Sequence, residues 1–294
     1  MDKCTNKYFI VNDQVTKCEE FKNCDTSKGK CLYEVIRVSE GIPIFLMEHF
    51  ERLENSAQIM SCKLFITRDE IINAILILIH KNSVLEGNIK LVINYDPNAS
   101  ENEKGSTFDE KFLAYFLQHK YPSKLQYTEG VETITYKGER KSPNAKVIDN
   151  DFREKVNQKI ISSGVYEAIL VDDYGFITEG SKSNIFMVQG SIVITSKIEK
   201  VLPGITRQFI IKVCAKLNIE FQEKNIREKD LKALTGLFIS GTSPKVLPIK
   251  SVDDLPYNSS TNSVINSIML GFENEINEDK QKFVKFTESI TINK

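Results

Sequence analysis

Short apolar runs at residues 8–11, 31–38 and 42–46 are separated by the turn-forming Asn12-Asp13 and Ser39-Glu40-Gly41, which predicts antiparallel strands. At Glu48 the period changes. Phe50, Leu53, Ala57 and Met60 recur at i, i+3, i+7 and i+10, the stripe of an amphipathic helix. Thr67-Arg68-Asp69-Glu70 then has the form of a capping box, with the threonine side chain accepting from the third backbone N–H and the glutamate reaching back, so a second helix should start there. Residues 89–95 and 112–117 read as paired strands around a polar loop containing Asp96-Pro97-Asn98 and Glu103-Lys104-Gly105.

Residues 119–130 are polar, contain a proline and a glycine, and lack apolar periodicity. They predict a small N-terminal α/β domain at 1–120, a linker at 121–130 and a larger C-terminal domain at 131–294. In the second domain 151–163 reads as helix, 166–171 as buried strand, Asp172-Asp173-Tyr174-Gly175 as a turn, and 184–188 with 192–195 as a hairpin around Gly190. Leu202-Pro203-Gly204 breaks the chain before a helix with apolar positions Phe209, Ile210, Val213, Cys214 and Leu217. Strands at 238–239 and 246–249 flank Gly241-Thr242-Ser243-Pro244, and 261–275 reads as a packing helix. The mixture of strands and helices predicts an α/β fold of mixed α+β character.

A length of 294 residues accords with about two domains of ~150 residues. With 39 Lys+Arg against 40 Asp+Glu the net charge is -1, so no global field draws the chain to nucleic acid or to a membrane surface. The longest apolar run, 71–79, is interrupted by Asn73 and falls short of the ~20 residues a membrane span needs, and the N-terminal stretch is polar rather than signal-like. The six cysteines include no C-x-x-C pair, and His49, His80 and His119 stand far apart. No metal site is expected, and a reduced, cytoplasmic setting fits best.

Four stretches offer chemistry. Gly204-Ile205-Thr206-Arg207 opens a helix, where free N–H groups and the helix dipole favour an anion. Gly241-Thr242-Ser243-Pro244 supplies a glycine and two hydroxyls after a strand. Glu179 follows a strand and precedes a hairpin, and Lys146 stands in Pro143-Asn144-Ala145-Lys146. Taken singly, these are most often a turn, a tight turn, a solvated carboxylate and a surface lysine.

Their order along the chain resembles the fold-type IV pyridoxal-phosphate enzymes, the class-IV aminotransferases, from about Tyr8 to Val252. LYEVIRV at 32–38, EHFERLENSA at 48–57, the lysine in NAKV, EAILVDDYGFITEGSKSNIF at 167–186, VLPGITR at 201–207 and FISGTSPKVLPI at 238–249 look like family blocks. The resemblance implies a D-amino-acid-aminotransferase-like fold of two domains with pyridoxal 5'-phosphate (PLP) at their interface, and a homodimer. It implies that Lys146 is the Schiff-base lysine and the mobile general base, and that Glu179 faces the pyridine nitrogen. Arg52 would grip the phosphate with Ile205, Thr206 and Thr242, while Tyr33 and Ser243 would meet the substrate.

The activity implied is transamination of small or branched aliphatic amino acids, with a 2-oxo acid, 2-oxoglutarate, as partner. The alternatives are an aminodeoxychorismate lyase and a non-catalytic PLP-binding protein. Asn94-Tyr95 stands where D-amino-acid aminotransferases and the lyase carry Arg-Gly, and EGSKSN replaces the glycine-rich form of the glutamate motif common in branched-chain enzymes.

Overall fold

In a computed structural model, residues 3–24, 26, 29–96, 109–118 and 120–292 are described; the expected polar loop at 97–108 and His119 lie outside them. The chain divides into two compact units. The first comprises Met1–Lys120, Ala145–Ile148 and Asp279–Lys294, and the second Tyr121–Asn144 and Asp149–Glu278.

The first unit contains β1 (Tyr8–Val11), β2 (Gln14–Lys17), β3 (Lys30–Ser39), β4 (Ile42–Pro43), helices α1 (Leu46–Ile59) and α2 (Arg68–Asn82), β5 (Glu86–Asp96) and β6 (Asp109–Phe116). The strands form an antiparallel sheet in the order β2-β1-β6-β5-β3-β4. Leu32, Ile36 and Val38 of β3 share a core with Phe50, Leu53 and Ala57 of α1 and Ile71, Ile75 and Leu78 of α2. Each such buried side chain contributes ~1.5–3 kcal/mol, so the stripe on α1 accounts for much of that helix's stability. The opposite face of the sheet carries Phe9, Cys31, Tyr33, Val92, Leu113 and Tyr115. The capping box forms at Thr67, whose N–H donates to Glu70 Oε2 at 2.7 Å.

The strand expected at 42–46 stops at Pro43. Proline has no N–H for the ladder, and Phe45 adopts a left-handed conformation at φ 54° before α1 begins at Leu46. Phe45 instead donates its N–H to Asp279 Oδ2 at 2.6 Å, which supplies a carboxylate at the positive end of a helix that has no side-chain cap.

The second unit contains α3 (Lys124–Glu129), β7 (Val131–Lys137), α4 (Asn150–Ser163), β8 (Glu167–Val171), β9 (Ile177–Gly180), β10 (Asn184–Gln189), β11 (Ile192–Thr195), α5 (Ile205–Lys216), β12 (Phe221–Glu223), β13 (Gly236–Gly241), β14 (Lys245–Val252) and β15 (Leu255–Pro256). Its sheet runs β12-β11-β10-β13-β14-β7-β8-β9, with β15 paired to β14. The segment expected to be a bare linker carries α3, whose capping box joins Ser123 and Gln126; a helix this short shows no apolar period to read. Nor is 131–294 one body, because Ala145–Ile148 and Asp279–Lys294 group with the first unit. The last helix, α6 (Ser263–Ile292), far outruns the expected 261–275. On α5, Ile210, Val213 and Cys214 are buried, whereas Leu217, expected on the apolar face, follows the last turn and is 44% exposed.

Candidate active site

Alternation along β3 aims Glu34 at the helices, between Leu32 and Ile36, in an otherwise apolar layer. A carboxylate there needs a cation. Arg52 provides it from α1: its Nε donates to Glu34 Oε1 at 2.8 Å and its Nη2 to Oε2 at 2.5 Å. His49, three residues earlier and so on the same helix face, makes a 2.7 Å contact from Nδ1 to Oε2. Burial would push the Glu34 carboxyl up, but the Arg52 charge and the hydrogen bonds from Arg52 and His49 outweigh it and bring the value to about 2. Burial lowers His49, against the pull of Glu34, so the imidazole is neutral and Nδ1–H donates to the carboxylate.

Lys146 belongs to this unit through strand pairing. Val147 bridges Leu32, the Lys146 carbonyl accepts the N–H of Tyr33 at 3.1 Å, and Ile148 donates to Cys31 at 3.2 Å. The Lys146 N–H donates to Ser56 Oγ at 3.1 Å, one helical turn beyond Arg52. Its ammonium lies 4.7 Å from the centre of the Tyr33 ring, which the buried Lys90 approaches to 4.9 Å. Lys146, Tyr33, Ser56 and Arg52 are thus tied to one end of β3 and one face of α1.

In the second unit Glu179 is 4% exposed at the end of β9. Its Oε2 accepts the N–H of Leu202 at 3.0 Å, and Arg140 Nη1 stands 3.6 Å from its Oε1. The Leu202 carbonyl accepts from Asn184 Nδ2 at 2.9 Å, so one residue links Glu179 to the approach to α5. The turn after Glu179 is fastened by Glu167 of β8, whose Oε1 accepts from Ser181 Oγ at 2.8 Å and from the Lys182 N–H at 2.6 Å. Burial pushes the Glu167 carboxyl up, against those hydrogen bonds.

Ile205 and Thr206 form the first turn of α5, which has no side-chain cap and no acidic residue. A Cβ at Gly204 would overlap Asn184 Oδ1, so only glycine lets the backbone come this close. Thr242 and Ser243 are half-buried in the turn between β13 and β14, next to Ser240, whose buried Oγ has no hydrogen-bond partner among the described residues. An uncapped helix start, a close backbone approach and an orphaned hydroxyl fit an anionic phosphate group.

Motif order points to neither Glu34 nor Arg140, and it gives His49 and Asn184 no part in the site. One signal was present: Glu34 interrupts the apolar face of β3, and a lone acid there calls for a buried cation.

The chain belongs to the amino-transferase class IV family, whose model matches residues 31–252. It is 30% identical over 235 residues to a putative branched-chain-amino-acid aminotransferase of Methanocaldococcus jannaschii, covering 76% of this chain and 79% of that protein. It is 28% identical over 227 residues to a D-alanine aminotransferase of Bacillus licheniformis, covering 76% and 80%. Its fold matches a branched-chain amino acid aminotransferase from Thermobaculum terrenum solved in its PLP form, at TM-score 0.81 and 20% identity over 96% of this chain and 97% of the other. It also matches a putative 4-amino-4-deoxychorismate lyase from Legionella pneumophila, at TM-score 0.75 and 21% identity over 84% and 91%.

Proposed function

We propose that this enzyme transfers the amino group of small or branched aliphatic amino acids to 2-oxoglutarate, using PLP. We assign the cofactor to Lys146, Arg52, Glu179, Ile205, Thr206 and Thr242, and substrate contacts to Tyr33 and Ser243. A cytoplasmic homodimer is part of this reading, and six cysteines all present as free thiols accord with that compartment. Among the described residues no helix is long and apolar enough to cross a membrane.

The observation that carries the reading is Glu179, a nearly fully buried carboxylate fixed by the Leu202 N–H and by Arg140. Bound PLP supplies an aldehyde that condenses with amines and a ring that draws electrons from the substrate Cα when its nitrogen is protonated. Glu179 would hold that proton on the ring nitrogen; a close charge pair at an effective dielectric of ~20 is worth ~4 kcal/mol, or ~3 pK units. The Lys146 amine takes the proton from the substrate Cα and delivers it again, as base and then acid. The N–H groups of Ile205 and Thr206, the Thr242 hydroxyl and the Arg52 guanidinium bind the phosphate dianion. Tyr33 and Ser243 donate to the substrate carboxylate.

Lyase activity is disfavoured at Asn94-Tyr95, because these side chains serve the fold. Asn94 is buried, with Nδ2 3.4 Å from the Lys30 carbonyl, and the Tyr95 hydroxyl donates to the Lys63 carbonyl at 2.9 Å. A non-catalytic binder would need the phosphate grip but neither Lys146 nor Glu179. Borohydride reduction of the purified yellow protein followed by peptide mapping tests the assignment. A pyridoxyl group on Lys146 supports it, and an adduct on another lysine overturns it.

A further inference from the structure

We propose that Glu34 and His49 are positioning residues for the phosphate grip: they fix the guanidinium of Arg52 in one orientation, so that it meets the cofactor phosphate already aligned. The inference rests on the assignment of Arg52 to the phosphate.

Arginine has a long stem with several rotamers, and each must be frozen when the group binds an anion. Here the freezing occurs before binding. Glu34 is fully buried on β3 and takes Nε and Nη2 of Arg52 in a two-pronged contact, which leaves Nη1 outside that contact. His49 fixes the carboxylate in turn, and as a neutral ring it does so without adding charge. The Glu34–Arg52 pair is then neutral overall, which lets it sit in the apolar layer between sheet and helix. One turn further along the same helix, Ser56 Oγ accepts the Lys146 N–H, so the anchored face of α1 also holds the backbone of the lysine. Neither Glu34 nor His49 is expected to touch the cofactor, and their effect passes through Arg52.

The test compares PLP with pyridoxal, which lacks only the phosphate, by titrating the cofactor-free full-length protein and following cofactor absorbance. Glu34→Gln keeps the shape but turns an NH2 group toward one guanidinium nitrogen. It should weaken PLP by about tenfold or more while pyridoxal stays within about twofold, the loss of roughly one charge-assisted hydrogen bond's worth of alignment. His49→Ala leaves the two-pronged contact in place and should show a smaller loss with the same PLP-selective signature, so it serves if Glu34→Gln does not fold. Equal weakening of PLP and pyridoxal, or no weakening of either, would overturn the proposal. Arg52→Ala in the same titration separates the two layers. If it also leaves the PLP-to-pyridoxal ratio unchanged, the assignment of Arg52 to the phosphate fails. If it lowers the ratio and the Glu34 and His49 variants do not, only the positioning role fails.

Discussion

Glu179 Oε2 accepts the backbone N–H of Leu202 at 3.0 Å, two residues before the glycine that opens α5. The carboxylate assigned to the pyridine nitrogen and the helix start assigned to the phosphate therefore share one short stretch of backbone. Glu179→Gln retains an oxygen for that N–H and removes the charge. We expect PLP to remain bound while kcat falls by about a thousandfold, the equivalent of ~4 kcal/mol. Steady-state turnover of the holoenzyme variant checks this, and unchanged turnover would mean that Glu179 does not protonate the ring.

The close approach of Gly204 to Asn184 yields a second prediction. Gly204 has φ −64°, which any residue adopts, so the constraint is space alone. Gly204→Ala must displace the Asn184 amide from the Leu202 carbonyl. Overpacking of this kind costs about 1–3 kcal/mol, and PLP affinity should fall with it. Thermal melting and cofactor titration check the two effects together; a variant that melts and binds like the parent would contradict the crowding.

Two buried glutamates should respond to pH in opposite ways. Glu34 has a folded-state value lowered from 4.5 to about 2, so its stabilisation is fully present above pH ~4.5 and is lost as pH falls toward 2. Glu34→Gln strands the Arg52 charge and should cost ~3–5 kcal/mol at pH 7, a gap that closes in acid. Glu167 has a raised value, so its ionised form costs stability at neutral pH and that cost vanishes once the carboxyl is protonated. Glu167→Gln, which keeps an acceptor for Ser181 and Lys182, should be at least as stable as the parent at pH 7. Urea unfolding midpoints between pH 2 and 7 decide both.

Much of the fold was legible because local signals agreed with the tertiary result. The Thr67 capping box, the α1 stripe of Phe50, Leu53 and Ala57, and the hairpin around Gly190 are all present. What could not be read depends on distant partners. The helix start at Leu46 relies on Asp279, more than two hundred residues away, and the return of Ala145–Ile148 to β3 rests on a few backbone hydrogen bonds. At the candidate site Lys146, Glu179 and the α5 start came from ordered motifs, which carry no distances. The Glu34–His49–Arg52 cluster appears only when a strand face and a helix face are brought into contact, and Arg140 only when the loop after β7 is brought to β9.

Thr67 gives a test of stability remote from the chemistry. Thr67→Ala removes the side chain that accepts the Glu70 N–H and should cost about 1 kcal/mol with kcat unchanged. A shift of the urea midpoint at constant slope, with activity intact at low urea, checks it.

The central claim, transamination by a class IV aminotransferase, is tested most directly by a half-reaction. The yellow holoenzyme is mixed with an aliphatic amino acid and no acceptor, and its visible band is followed. Transamination predicts that the band is lost as the amino group moves to the cofactor, and that 2-oxoglutarate restores it. No loss of the band with any amino acid, together with pyruvate released from aminodeoxychorismate without an acceptor, would contradict it.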